Sequence, residues 1–336
     1  MLAVGAGGTV WSWGANASGQ LGNGTAGNTT NVDFPRQVPG LTGIIQVAAG
    51  DSSSLALRSD GTVWAWGNNS SGQLGNHTTA NRNTPGMVPG LAGITKIAAG
   101  GATGFALRSD GTLFAWGDNS SSALGNGTTG GFTTAAAPVP GLTAVTQVSS
   151  SGLTTLAVAG ASATVWAWGD NSAGEIGDGT NDSHRSPKQL ALTGVTQVSS
   201  GIFVSAAVRS DGTLLTWGAN GVGALGIGTV SGQSASPVQV TSLIGVSQVS
   251  MSNGYGLAIG RSAFAVVPDV RGDTTSQASQ VLQAAGFVLG SVSTIIDNSC
   301  NNIGTVISQN PGVGATARIG SAVSVTIGRR PPQPCP

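Results

Sequence analysis

Charge is scarce in this chain: thirteen basic and thirteen acidic side chains cancel among 336 residues. A neutral chain has no electrostatic route to a polyanion, which argues against DNA, RNA or an anionic membrane as partner. Lysine occurs only at Lys96 and Lys188, glutamate only at Glu175 and tyrosine only at Tyr255. The two histidines, His77 and His184, lie in different loops, and nothing in the sequence pairs them. Acid–base and nucleophilic catalysis need a titratable group held against a substrate by an orienting partner, and this supply is too small to assemble one. The chain is therefore expected to be no enzyme and to carry no cofactor. No apolar run is long enough to span a bilayer, and MLAVGAGGTVW has neither the basic start nor the apolar core of an export signal.

What is abundant is glycine, 55 residues of it, and repetition. Five times a short strand ends in Trp-Gly and runs into a turn of the form N-x-x-G-x-L-G, at Trp13, Trp66, Trp116, Trp168 and Trp217. The spacings are 53, 50, 52 and 49 residues, so the architecture is an array. The copies read GTVWSWGANASGQLGNGT from 8, GTVWAWGNNSSGQLGNHT from 61 and GTLFAWGDNSSSALGNGT from 111, then ATVWAWGDNSAGEIGDGT from 163 and GTLLTWGANGVGALGIGT from 212. Period-2 alternation puts Trp11 and Trp13 on one strand face and Ser12 on the other, bulky against small, so that neighbouring sheets nest. Ser-Asp-Gly at 59–61, 109–111 and 210–212 is hairpin chemistry, which accounts for Asp60, Asp110 and Asp211 without an active site. Strands and tight turns without helical periodicity indicate an all-β, blade-type fold whose units are stable only when stacked.

Near Val266 the pattern changes. Residues 266–287 carry a helix signal, with Ala278, Val281, Leu282 and Ala285 on one face, Thr274 and Gln277 as a capping box and Gly286 as the stop. A strand follows at 321–328, with Val323, Val325 and Ile327 sharing a face. Three further motifs read as structure. GNGTAG at 22–27 and GNGTTG at 125–130 match G-x-G-x-x-G, but neither follows a buried strand nor opens a helix. Asp178, Asn181 and Asp182 cluster oxygen donors as a weak calcium candidate, yet they lack the spacing of a complete loop, and an Asx-rich turn explains them. Arg271, Gly272 and Asp273 spell RGD where the chain enters the helix, with Asp273 useful as a helix-start acid.

The repeat resembles the RCC1 repeat family, whose unit runs roughly d-G-x-v-y-x-W-G-x-N-x-x-G-Q-L-G and closes on a-x-G-x-x-H-s-x-a-L. The family's histidine is absent here, with Ser53, Thr103 and comparable small residues in its place. The resemblance implies a β-propeller over residues 1–262, commonly seven-bladed in the family, with copies at 8–57, 61–107, 111–158, 163–208 and 212–259. Residues 266–328, from V-P-D-V-x-G through G-T-V-I-S-Q-x-P-x-x-G to G-S-x-V-x-V, look like a PASTA domain, a small α+β module, followed by a proline-rich tail at 329–336. That family is associated with penicillin-binding proteins and bacterial serine/threonine kinases, and some members bind peptidoglycan fragments.

Together these readings imply a secreted or cell-surface bacterial scaffold, extracellular or periplasmic. A protein partner would sit on the turns at 24–36, 77–89, 127–140, 179–190 and 228–240, with the PASTA module as tether. The alternatives are a peptidoglycan- or glycan-binding wall protein, or a self-assembling structural one. Both cysteines, Cys300 and Cys335, lie in the terminal module, and the short stiff tail between them lets Cys335 return to Cys300, so a disulfide is expected, with two free thiols as the alternative. The repeat array also begins and ends in mid-unit. LAV at 2–4 matches LAL at 55–57, which suggests a missing upstream segment. Residues 2–13 could instead supply strands to the blade ended by 246–259, within one chain or head-to-tail between chains.

Overall fold

The computed structural model describes residues 1–230 and 232–333. It divides into two compact units, Met1–Val240 with Gly245–Gly260, and Thr241–Ile244 with the chain from Arg261 on. Among the described residues no helix is long and apolar enough to cross a membrane.

The first unit is a β-propeller. It opens with a three-stranded sheet of β1 (Leu2–Val4), β2 (Val10–Gly14) and β3 (Val32–Gln37). Four complete antiparallel blades follow. Blade I holds β4 (Ile44–Ala49), β5 (Ser53–Arg58), β6 (Val63–Gly67) and β7 (Arg82–Met87); blade II holds β8 (Ile94–Gly100), β9 (Thr103–Arg108), β10 (Leu113–Asp118) and β11 (Phe132–Pro138). Blade III holds β12 (Val145–Ser150), β13 (Thr154–Ala159), β14 (Thr164–Gly169) and β15 (His184–Gln189). Blade IV holds β16 (Val195–Ser200), β17 (Val204–Arg209), β18 (Leu214–Ala219) and β19 (Gln233–Gln239). A two-stranded sheet of β20 (Leu243–Met251) and β21 (Gly256–Ser262) ends the array. Each sequence copy therefore straddles two blades, because the hydrogen-bonded sheet starts at the I-I-Q-V strand and not at G-T-V-W.

The seams between blades repeat one device. Trp66 Nε1 donates to Gln20 O at 2.9 Å, Trp116 to Gln73 O at 2.9 Å, Trp168 to Ala123 O at 2.7 Å and Trp217 to Glu175 O at 2.8 Å. Each accepting carbonyl lies in the N-x-x-G-x-L-G turn of the sheet before. The last glycine of that turn lets the indole in: a Cβ on Gly22, Gly125 or Gly177 would stand 2.7, 2.7 or 2.6 Å from the tryptophan Nε1. These four indoles are completely buried. A second clamp joins the first strands, where Gln46 donates to Ile97 O at 2.8 Å and accepts from Ile97 N at 2.9 Å. Gln147 and Gln197 do the same to Val198 and Val249.

The array's two ends are open. Among the described residues β1 pairs only with β2, and β21 only with β20, so residues 2–13 do not complete the sheet of residues 246–259 within the chain. Trp13, which has no preceding turn over it, is only partly buried.

In the second unit, α1 (Thr275–Ala284) carries the expected capping box between Thr274 and Gln277, and Gly286 follows it at φ +86°. Ala278 and Leu282 are buried in a core with Val267, Phe287, Val323 and Val325. Val281, expected on the inner face, is 38% exposed, because the contact is a narrow stripe and position 281 falls on its flank. Around the helix lie β22 (Phe264–Val266), β23 (Val288–Ile296), β24 (Val306–Asn310), β25 (Thr316–Arg318) and β26 (Ala322–Arg329); β26 sits between β23 and β24, parallel to the first.

Candidate functional site

The loops joining the first and second strands of successive blades converge on a cleft of about 570 Å³ on one face of the propeller, lined by residues that include Asp51, Gly101, Asp118, Leu153, Ile202 and Asn253. The small residues are dictated by crowding near the axis. A Cβ on Gly100 would lie 2.1 Å from Ser150 O, and one on Gly201 2.3 Å from Ser252 O. Backbone and hydroxyl bonds hold the loops together: Asp51 N donates to Gly101 O at 3.0 Å, Ser200 N to Ser149 Oγ at 3.0 Å and Met251 N to Ser199 Oγ at 2.8 Å. Ser53 and Thr103, where the RCC1 pattern has histidine, are buried, and Thr103 Oγ1 caps Gly100 O at 2.7 Å. The charged side chains in the lining are Asp51 and Asp118, set among the serines Ser150, Ser151, Ser200 and Ser252. This surface offers hydrogen bonds and shape to a partner.

The outer turns are rigid for a reason the motif contains. Asn16, Asn69, Asn119, Asn171 and Asn220 are all buried. Each accepts from the backbone N–H five residues on and donates to the threonine carbonyl nine residues on; Asn69 makes these bonds to Leu74 at 2.9 Å and to Thr78 at 2.9 Å. The segments expected to bind a partner consist of these turns and the last strand of each sheet, β3, β7, β11, β15 and β19.

The calcium candidates do not converge. Asp178 Oδ1 accepts from Thr180 Oγ1 at 2.7 Å and Asp178 Oδ2 meets His184 Nε2 at 2.7 Å, while Asn181 Nδ2 donates to Ser172 O at 3.0 Å. Asp182 takes part through its backbone, its carbonyl accepting from Asn171 and its N–H bonding Thr180 Oγ1. Burial opposes ionisation of Asp178, but the bonds from Thr180 and His184 outweigh it and hold the carboxyl below its usual range. The His184–Asp178 pair was not legible in the sequence, and among the described residues no group of three potential metal ligands forms. His77 stands at φ +65°, in the place where the other copies carry glycine. Asp60 and Asp211 are held low by bonds from Thr62 and Thr213, and Asp110 by Arg108, the hairpin role expected of them. In the RGD segment, Arg271 is tied to Asp269 at 2.8 Å.

Glu175 is the unexpected titratable group. It is fully buried, accepts from Ala173 N at 2.8 Å through Oε2, and leaves Oε1 without a partner. Desolvation, reinforced by the nearby Asp170 charge, pushes its carboxyl up. Cys300 is not free, and Cys335 lies outside the described residues.

Comparison with known proteins agrees with this geometry. A family model described as RCC1-like domain matches residues 1–267, and one described as PASTA domain matches residues 265–329. Human Protein RCC2 is 46% identical over 77 residues, which is 22% of this chain and 14% of that protein. Among solved structures, Prp20p from Saccharomyces cerevisiae superposes with a TM-score of 0.69 at 22% identity, covering 78% of this chain and 66% of that one. Human WBSCR16 gives 0.67 at 25% identity, covering 75% and 67%. The chain thus spans about two thirds of these neighbours and a small part of the human relative.

Proposed function

Because the chain belongs to the RCC1-like domain family over residues 1–267, with a PASTA domain after it, we propose that it is a non-catalytic scaffold that works outside the cell and holds a protein partner on its propeller. The observation that carries this reading is the axial cleft. Its loops are tied by a backbone bond from Asp51 to Gly101 and by serine hydroxyls between the later blades, and its lining is small, with Asp51 and Asp118 as its charged side chains. Rigid loops on a repeat array bind with little ordering cost. The structure of Prp20p was reported together with that protein's binding to Gsp1p and histones, which supports a protein-binding role for the fold but names no partner for this chain.

The PASTA module serves as tether or second contact in this reading, and extracellular placement rests on the association of such modules with the bacterial wall. Glycan binding by aromatic stacking is the weaker reading. The seam tryptophans are sealed, and the exposed rings, Trp11, Phe34, Phe132, Phe203, Tyr255 and Phe264, are spread along the chain. The test is capture from the native source with the full chain as bait, beside the exposed rim variant Asp51→Arg. A protein captured by the wild type and lost by the variant supports the cleft; cosedimentation with cell-wall sacculi and no protein captured refutes the scaffold.

A further inference from the structure

A second concavity lies away from the cleft, at the seam between blades III and IV. It measures about 390 Å³ and is lined by Lys188, Leu190 and Leu192 from one side and by Arg209, Leu215 and Pro237 from the other. One departure from the repeat lies at its floor. The strand position held by Trp11, Trp64, Phe114 and Trp166 in the other copies is Leu215 here. In the two other copies with an arginine at the end of the preceding strand, that arginine covers the ring. Arg58 stands 4.8 Å from the Trp64 ring and Arg108 5.2 Å from that of Phe114, and each is paired to an aspartate, Asp60 or Asp110.

Arg209 has no ring to cover and makes no ion pair within 4 Å or side-chain hydrogen bond among the described residues; Asp211 feels its charge only at longer range. Lys188 is exposed on β15, opposite Ala167, where the corresponding residues of blades I and II are Gly86 and Ala137. It too has no partner. At the seam before blade I the equivalent cations Arg36 and Arg58 both lie over rings, Phe34 and Trp64. The carboxylate on this groove's rim, Asp178, is already held by His184 and Thr180. In so sparsely charged a chain, an unpaired Lys188 and an Arg209 that reaches Asp211 only at longer range place two cations beside a leucine floor.

We propose that this groove binds an acidic segment of a protein partner, with a carboxylate held between Lys188 and Arg209 and the adjacent apolar side chain laid on Leu190, Leu192 and Leu215. The guanidinium fork and the ammonium suit a carboxylate, and the leucines favour an apolar neighbour over a bare inorganic anion. This site rests on the scaffold reading but is separate from the axial cleft.

The probe is a fluorescent, acetylated and amidated peptide alternating leucine with glutamate, titrated by anisotropy against the full chain, with the glutamine analogue as control. The glutamate peptide binds more weakly as salt rises. Lys188→Glu weakens it about tenfold or more, an effect on the scale of losing a charge-assisted contact. Leu215→Trp, which restores the ring and fills the groove while leaving both cations, abolishes binding; thermal melting confirms that both variants fold. Equal binding of the glutamine peptide, no binding by the wild type, or unchanged affinity in both variants overturns the proposal. So does displacement of the peptide by soluble peptidoglycan fragments at lower concentration, which assigns the groove to wall carboxylates. Capture that depends on Asp51 but not on Lys188 removes the groove and leaves the cleft; peptide binding without Asp51-dependent capture does the reverse.

Discussion

Trp217 Nε1 donates to Glu175 O at 2.8 Å across the seam between blades III and IV, and Ser205 Oγ donates to the same oxygen at 2.7 Å. That carbonyl belongs to the turn of one blade and both donors to the next, so the bond exists only when the blades stack. Trp217→Phe should lower stability by about 2–3 kcal/mol, through the lost hydrogen bond and the cavity left behind. Trp13→Phe should cost less than about 0.5 kcal/mol, since Trp13 is only partly buried and its indole makes no bond among the described residues. Urea unfolding of the two variants checks the contrast; equal losses would show that the indole bond is not what locks the seam.

Glu175 gives the fold a pH dependence of definite sign. Its carboxyl is raised in the folded protein, so the folded state binds that proton more tightly than the unfolded chain. The resulting stability is full below the unfolded pKa of about 4.3 and is lost as pH rises through the folded value. Blade I shows the remedy: Gln73 accepts from Ser71 N at 2.8 Å and donates to Asn68 Oδ1 at 3.1 Å. Glu175→Gln should therefore stabilise the protein by about 1 kcal/mol at pH 7 by giving Asp170 a donor, and the gain should vanish near pH 4. A gain that is independent of pH would mean that ionisation of Glu175 is not the cause.

His77 serves as a test of catalysis against conformation. It occupies φ +65°, and the four other copies place Gly24, Gly127, Gly179 and Gly228 there, all at positive φ. His77→Gly should raise stability by about 1 kcal/mol with partner capture unchanged. A hydrolytic or transferase activity that disappeared with this substitution would instead make His77 catalytic.

The five tryptophans, the Asp-Gly hairpins and the Thr274 capping box were legible because each is local, with residue type and spacing alone implying the geometry. The seam bonds were not, since Trp168 and Ala123 are 45 residues apart and only the stacked blades reveal that they meet. The same holds for the His184–Asp178 pair, which bridges a turn, and for the groove beside Lys188. There a single leucine in an aromatic column reads as a conservative apolar change until its space is measured.

Cys300 is not free among the described residues, and the pairing with Cys335 remains an expectation for chemistry to test. Thiol labelling of denatured, unreduced protein should find no cysteine. Reduction should lower the melting temperature of the small C-terminal unit before that of the propeller, as loss of about 2–4 kcal/mol weighs most on a small core. Two labelled thiols without reductant would refute the link.

The last prediction concerns the open ends. The turn of blade IV has the same sequence logic as the others, but a Cβ on its Gly226 would meet only Val240 Cγ1, at 3.9 Å, and no indole enters it. At the other end Trp13 lacks the turn that seals its four counterparts. One surface offers a carbonyl and the other an indole donor, and the four internal seams show how the two fit. The blade IV end and the sheet after it also expose apolar side chains, with Val222 at 73%, Leu257 at 68% and Ile259 at 63%. A second copy can cover them head-to-tail, a heterologous contact that repeats until it closes. Light scattering of the 336-residue chain should therefore show a mass that rises with concentration. Leu257→Lys with Ile259→Lys, or Trp13→Ala at the opposite end, should each return it to monomer, because a head-to-tail contact needs both surfaces. A monomer at every concentration would refute the head-to-tail contact, and association that survives both variants would place the contact elsewhere.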